Sequence, residues 1–182
     1  NYALNVATFV FAFITTGVTT VIIPAYVNKT EKKAVNSFIT IIYSITLIVV
    51  LAVIIFRRPL LEVLTNRGQN FIDIVGDFLI VAFIIQGLLA FQAVTAGFYQ
   101  CNDHYNVPKF ITLITNLIVA IVLITGVIKN IYAYLALLVF GSILNFTVDV
   151  LAAVKYGFRY APAFDLKSNE LKKMLIIFLP TL

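Results

Sequence analysis

The sequence predicts an all-α, polytopic membrane protein with about five full transmembrane helices and the start of a sixth. Three observations carry this prediction. Of 182 residues, 62% are hydrophobic and 12% charged, against about 45–50% and about 25% in soluble domains. Mean hydropathy is +1.03. The apolar residues also stand in continuous runs that reach the about 20 residues a helix needs to cross ~30 Å of hydrocarbon. A membrane barrel would instead show alternating segments of about 10 residues.

The expected spans are residues 2–27, 35–56, 71–100, 107–128 and 131–156, with a further helix opening near Leu171. Between them lie "NKTEKKAVN", "RRPLLEVLTNRGQN", "CNDHYN", "KN" and "GFRYAPAFDLKSNELKK". Connections this short make successive helices antiparallel neighbours. One side then holds nine cations: Lys29, Lys32, Lys33, Lys109, Lys155, Arg159, Lys167, Lys172 and Lys173. The other holds four: Arg57, Arg58, Arg67 and Lys129. The richer side is expected in the cytoplasm, which puts Asn1 outside. The formal charge of +5 does not indicate nucleic acid, because the cations fill gaps between apolar runs rather than one face. With one cysteine no intrachain disulfide is possible. No signal peptide is read at the start, and the closing "MLIIFLPTL" is expected to enter another span of a longer protein.

Each span carries a polar seam. Thr8, Thr15 and Thr19 share a face of the first helix, and Ser37, Thr40 and Ser44 share one of the second. Lys109, Thr112, Thr115 and Asn116 align on the fourth; Ser142, Asn145 and Asp149 align on the fifth. Hydroxyls alone act as glue between helices at about 0.6 kcal/mol each. Amides and carboxylates are costlier against lipid and face a hydrated interior, so Asn116, Asn145 and Asp149 point to a wet passage. On the third helix Asp73 and Asp77 stand one turn apart, with Gln92 on nearly the same face. They pair with Arg57, Arg58 or Arg67, or else form a cation-coupling site. Gly17, Gly76, Gly87 and Pro24 are the candidate bending points.

Chemistry gathers once, in "GFYQCNDHYNVPKF". Cys101, Asp103 and His104 fall within four positions. Zinc needs three or four ligands in a recurring pattern, and a Cys–His dyad needs a water-excluding pocket. This segment offers neither, so it reads as a turn built by Asn102, Asp103 and Asn106, with Pro108 opening the next helix. No metal, cofactor or catalytic residue is expected, and the chain is not read as an enzyme.

The same stretch, together with "TNLIVAIVLI", "FDLKSNELKKMLIIFLPTL" and "GVTTVIIPAYVNK", resembles the MurJ (MviN) branch of the multidrug/oligosaccharidyl-lipid/polysaccharide exporter superfamily. The matches span nearly the whole chain in the right order. The resemblance implies a bacterial cytoplasmic-membrane flippase of two lobes around a central cavity. Residues 1–156 would be that family's second to sixth helices, 157–170 a cytoplasmic connector and 171–182 the start of the second lobe. The implied cargo is a polyprenyl-pyrophosphate-linked cell-wall precursor, moved by alternating access. The implied partners are that lipid-linked oligosaccharide, membrane lipids and the remaining lobe. Family members usually carry an Arg-rich, Glu-containing stretch where this chain reads "FVFAFITTG", with Thr16 in the acid's place. The expected cavity residues are Thr16, Thr19, Lys109, Thr112, Thr115, Asn116, Ser142, Asn145 and Asp149. The alternatives are a polysaccharide- or teichoic-type lipid-linked sugar exporter or a cation-coupled drug antiporter of the same superfamily; the antiporter would use Asp73, Asp77 or Asp149, with Gln92 beside them.

The charge count makes a topological prediction. Alkaline phosphatase fused after His104 should be inactive, and fused after Lys129 active; the reverse would invert the assignment.

Overall fold

The computed structural model describes residues 2–64 and 69–179. It contains helices α1 (Tyr2–Val27), α2 (Lys32–Leu64), α3 (Gln69–Cys101), α4 (Asn106–Ile124), α5 (Ile131–Lys155) and α6 (Asn169–Phe178). Among the described residues there is no strand, and α1 to α5 are each long and apolar enough to cross a membrane. The chain is therefore a multi-pass membrane protein. Of the cations counted above, Arg67 lies outside the described residues.

Two boundaries differ from expectation. Residues 57–64 were expected in a connection but continue α2. Helix α2 breaks its backbone at Phe56 (φ −102°, ψ 18°), three residues before Pro59. The proline ring removes a donor and crowds the carbonyl four residues back, so the strand of helix bends there instead of ending. Pro24, an expected bending point, lies inside an unbroken α1. Helix α4 stops at Ile124 rather than at residue 128, because Gly126 turns left-handed (φ 68°) and releases Val127–Lys129 from the helix.

Helix α3 is the centre of the bundle, packing against α1, α2 and α5. Helix α4 is held mainly by α5, and α6 lies against α1 and α2. Between α1 and α5 no Cα pair of the described residues comes within 8 Å, so they flank α3 with a trough between them. The α1–α3 contact depends on small residues. Ala3, Ala7, Ala90 and Ala93 are buried, and a Cβ added at Gly97 would stand 2.8 Å from Ile22 Cγ2. In lipid, where apolar burial gives no drive for association, close backbone approach is what holds helices together.

Helices α1, α3 and α5 finish in the same way at the lysine-rich end. Thr30, His104 and Phe158 each donate their backbone N–H to the carbonyl five residues back (Ala25, Tyr99 and Ala153), all at 2.9 Å. Lys29 (φ 51°), Asp103 (φ 59°) and Gly157 (φ 98°) supply the left-handed residue this cap requires. The "QCNDHYN" segment is thus a helix cap and turn. Its Cys101 thiol donates to Ile23 O at 3.6 Å, and His104 lies against Tyr156 with ring centres 4.4 Å apart.

The polar seam of α2 has a use that the sequence did not suggest. Beyond α5 the chain runs along α2, and Ser37 and Thr40 accept the backbone N–H groups of Asp165 (3.0 Å) and Ala163 (3.2 Å). Thr40 also meets Tyr160 Oη at 2.9 Å, and Lys33 Nζ reaches Asp165 Oδ2 at 2.9 Å. Ser168 then caps α6 by accepting from Leu171 N–H. Ser37 and Thr40 thus hold the connector, whereas Ser44 of the same seam donates to Thr40 O of its own helix.

Hydrogen bonding and charge from Lys33 hold the Asp165 carboxyl below the usual carboxylate range. A carboxylate lowered on folding adds stability above its unfolded pKa and loses it as pH falls through the folded one. Acidification below the ordinary carboxylate range should therefore loosen the segment around Asp165 slightly, read as modestly faster amide exchange there, while the Ser37 and Thr40 bonds keep it in place. Asp165→Asn should show that faster exchange already at neutral pH and lose the acid dependence.

Candidate functional site

The trough between α1 and α5 is floored by α3. Toward the lysine-rich end it forms a groove of about 290 Å³ lined by Thr15 and Thr19 of α1, Gln92, Ala93 and Ala96 of α3, Pro108 and Thr112 of α4, and Asp149 of α5. Toward the other end the same trough widens to about 470 Å³, with a largely apolar lining that includes Ile74, Val81, Ile85 and Leu138 and the aromatic rings of Phe78 and Tyr134. One side of the bundle thus passes from hydrocarbon-like to polar along its length.

Asp149 is the most enclosed ionisable group of the groove, 2% exposed. Its Oδ2 meets the Thr95 hydroxyl, and its backbone carbonyl accepts from Tyr99 Oη at 3.0 Å. Among the described residues no lysine or arginine pairs with it. One turn away, Gln92 Nε2 donates to Asn145 Oδ1 at 3.2 Å, and Asn145 Nδ2 makes a longer 3.4 Å contact with Thr112 Oγ1. That relay joins α3, α5 and α4. Thr15 and Thr19 donate their hydroxyl protons to carbonyls of their own helix, which leaves oxygen lone pairs as the polar element they offer the groove.

Thr19, Thr112, Asn145, Asp149 and Gln92 are brought together here. The other candidates fall elsewhere. Thr16 is exposed, and its neighbour Thr15 lines the groove in its place. Thr115 is buried (3%) with its hydroxyl donated to Ile111 O and Thr112 O, so it belongs to helix packing. Ser142 is half-buried and donates to Leu138 O. Asn116 is exposed one turn beyond Thr112, and Lys109 is exposed beside Pro108 at the groove's end. Asp73 and Asp77 sit far along α3, where Arg58 Nη2 and Arg57 Nη1 meet them at 3.1 and 2.7 Å; Gln92 is not with them. Thr95 and Tyr99 were missed. Their spacing from Gln92, at three and seven residues, marks one helical face, a signal present in the sequence.

The MatE family model matches residues 1–125. The chain is also similar to the protein named "Probable lipid II flippase MurJ" of Borreliella burgdorferi, at 28% identity over 176 residues. That alignment covers 90% of this chain and 34% of the relative, so the chain spans about a third of that protein's length. No solved structure matches.

The geometry separates two substitutions of one residue. Asp149→Asn keeps an oxygen for the Thr95 hydroxyl and should leave thermal stability close to wild type. Asp149→Leu removes that partner and leaves the Thr95 hydroxyl only Gln92 O, 2.9 Å away on its own helix, and should cost about 0.5–1.5 kcal/mol, measured by thermal unfolding in detergent.

Proposed function

This chain belongs to the MatE family, and we propose that it forms most of one lobe of an alternating-access transporter that moves a lipid-linked oligosaccharide across the bacterial cytoplasmic membrane. The observation that carries the reading is the polar relay Gln92–Asn145–Thr112 beside Asp149, set on a groove inside the membrane-spanning part. Amides and a carboxylate at such depth are retained where a hydrated route passes. At about 290 Å³ the groove falls just under the ~300–1,000 Å³ of ligand pockets. That size suits one wall of a larger cavity completed by a second lobe. Residues 1–156 are then the bundle of one lobe, 157–170 the cytoplasmic connector and 171–182 the entry to the next.

In this mechanism the sugar hydroxyls exchange bonds with Asn145, Gln92, Thr112 and the lone pairs of Thr15 and Thr19, while the lipid tail stays in the bilayer. Rocking of the lobes exposes the seam first to one face and then to the other. Lys109 at the groove's end is the cation this segment offers to a pyrophosphate. The relative named for lipid II supports a polyprenyl-linked cell-wall precursor as the cargo.

A second reading is favoured by one detail. Thr95 has a single hydroxyl proton but faces two acceptors, Gln92 O at 2.9 Å and the Asp149 carboxyl. A proton on Asp149 would satisfy both, and that is the behaviour of a coupling site in an ion-driven antiporter.

Full-length protein in liposomes, with a fluorescent lipid-linked oligosaccharide, tests the choice. Asn145→Leu and Gln92→Leu each remove one end of the relay from a half-buried partner and should slow leaflet exchange about tenfold. Asp149→Asn should leave exchange largely intact; loss of proton- or sodium-driven uptake of a drug cation in that variant would favour the second reading. No exchange by the wild type would reject the flippase.

A further inference from the structure

A separate groove of about 340 Å³ lies at the lysine-rich end, between the last turns of α1 and the first turns of α6. It opens away from the transport groove: at 3.6 residues per turn, Pro24 and Asn28 point about 180° from Thr15 and Thr19. Its floor is apolar, formed by Val21 and Ala25 on one side and Met174 and Ile177 on the other. Its rim is polar, formed by Asn28, Lys29, Thr30 and Lys173. The lining carboxylate, Glu170, is already engaged, accepting the Glu31 backbone N–H at 2.8 Å. Among the described residues neither Lys29 nor Lys173 has a carboxylate within ion-pair distance.

Depth fits the chemistry. Helix α1 has 26 residues, about 39 Å at 1.5 Å per residue, which exceeds a ~30 Å hydrocarbon core. Its capped end therefore stands among the lipid headgroups, and the left-handed Lys29 is fixed at the rim by the cap itself. We propose that this groove binds an anionic phospholipid, its phosphate between Lys29 and Lys173 and an acyl chain along the floor toward Ile177. Free phosphate would use the rim alone; the apolar floor is what selects a lipid. The bound lipid would tie α6 to α1 whatever the transporter carries.

Native mass spectrometry of the full-length protein, titrated with phosphatidylglycerol, tests this. Phosphatidylglycerol should bind in preference to phosphatidylcholine. Each basic residue near the surface contributes a factor of about five, so Lys29→Asn with Lys173→Gln should weaken retention roughly 30-fold. Asparagine is chosen at 29 because it tolerates the left-handed cap. Lys173→Gln alone, which leaves that cap untouched, should give about a fivefold loss and serves if the double variant fails to fold. Lys155→Gln with Lys167→Gln, at the same end but outside the groove, should change little. The proposal is overturned if the double variant, or Lys173→Gln standing in for it, binds like wild type, or if the outside pair weakens binding equally. It is also overturned if soluble glycerol phosphate displaces the lipid at equal concentration, or if phosphatidylcholine binds as well.

Discussion

An ionisable side chain within the membrane-spanning part needs polar partners, and that constraint organises the bundle around Asp149. Its Oδ2 and its backbone carbonyl are met from α3 by Thr95 and Tyr99, so the α3–α5 interface is specified by polar contacts. The α1–α3 interface on the other side of the same helix is made by the opposite device, bare backbone at Gly97 against Ile22. Helix α3 is thus fixed on one side by shape and on the other by hydrogen bonds. The trough between α1 and α5 follows, since both pack on α3 and neither on the other. Each such bond is worth little alone, about 0.6 kcal/mol in a membrane, but moving Asp149 out of register would expose its charge to lipid at several times that cost.

The two ends of the bundle differ electrostatically. At the end of α2, Arg57 and Arg58 are each matched by an aspartate of α3. Arg58–Asp73 is an exposed pair, of the kind that contributes about 0–1 kcal/mol, and Arg57–Asp77 is half-buried. At the lysine-rich end, Lys33 alone of the lysines and arginines there is ion-paired among the described residues. The remaining cations are free to meet lipid headgroups, and three Schellman-type caps gather the helix ends beneath them. The connector laid along α2 belongs to this end as well, so the segment leading to α6 is anchored on α2 through Ser37 and Thr40.

The helices were readable because length and apolar continuity act locally: a run of about 20 apolar residues has few other options. Boundaries failed where one residue redirected the chain, at Pro59, which bends α2 without ending it, and at Gly126, which ends α4 early. Periodicity puts polar residues on one helical face, yet a helical face does not say which neighbour it meets. Asn145 and Asp149 do meet α3 and the groove. Ser37 and Thr40, with the same periodicity, meet the connector, because a segment 120 residues away in the sequence comes to lie there. Contacts of that kind depend on tertiary packing and leave no mark in periodicity. On α1, by contrast, periodicity grouped Thr15 with Thr19, the pair that lines the groove, whereas Thr16 was expected there from the resemblance.

The central claim is that the seam joining Thr15, Gln92, Thr112 and Asn145 faces water inside a membrane-spanning bundle. Single cysteines at Thr112 and Asn145, and at Ile114 and Leu117 on the same helix as Thr112, placed in a Cys101→Ser background of the full-length protein, test it with a water-soluble thiol reagent. The account predicts modification at 112 and 145 and protection at 114 and 117. Equal protection at all four positions, or labelling confined to 114 and 117, would contradict it.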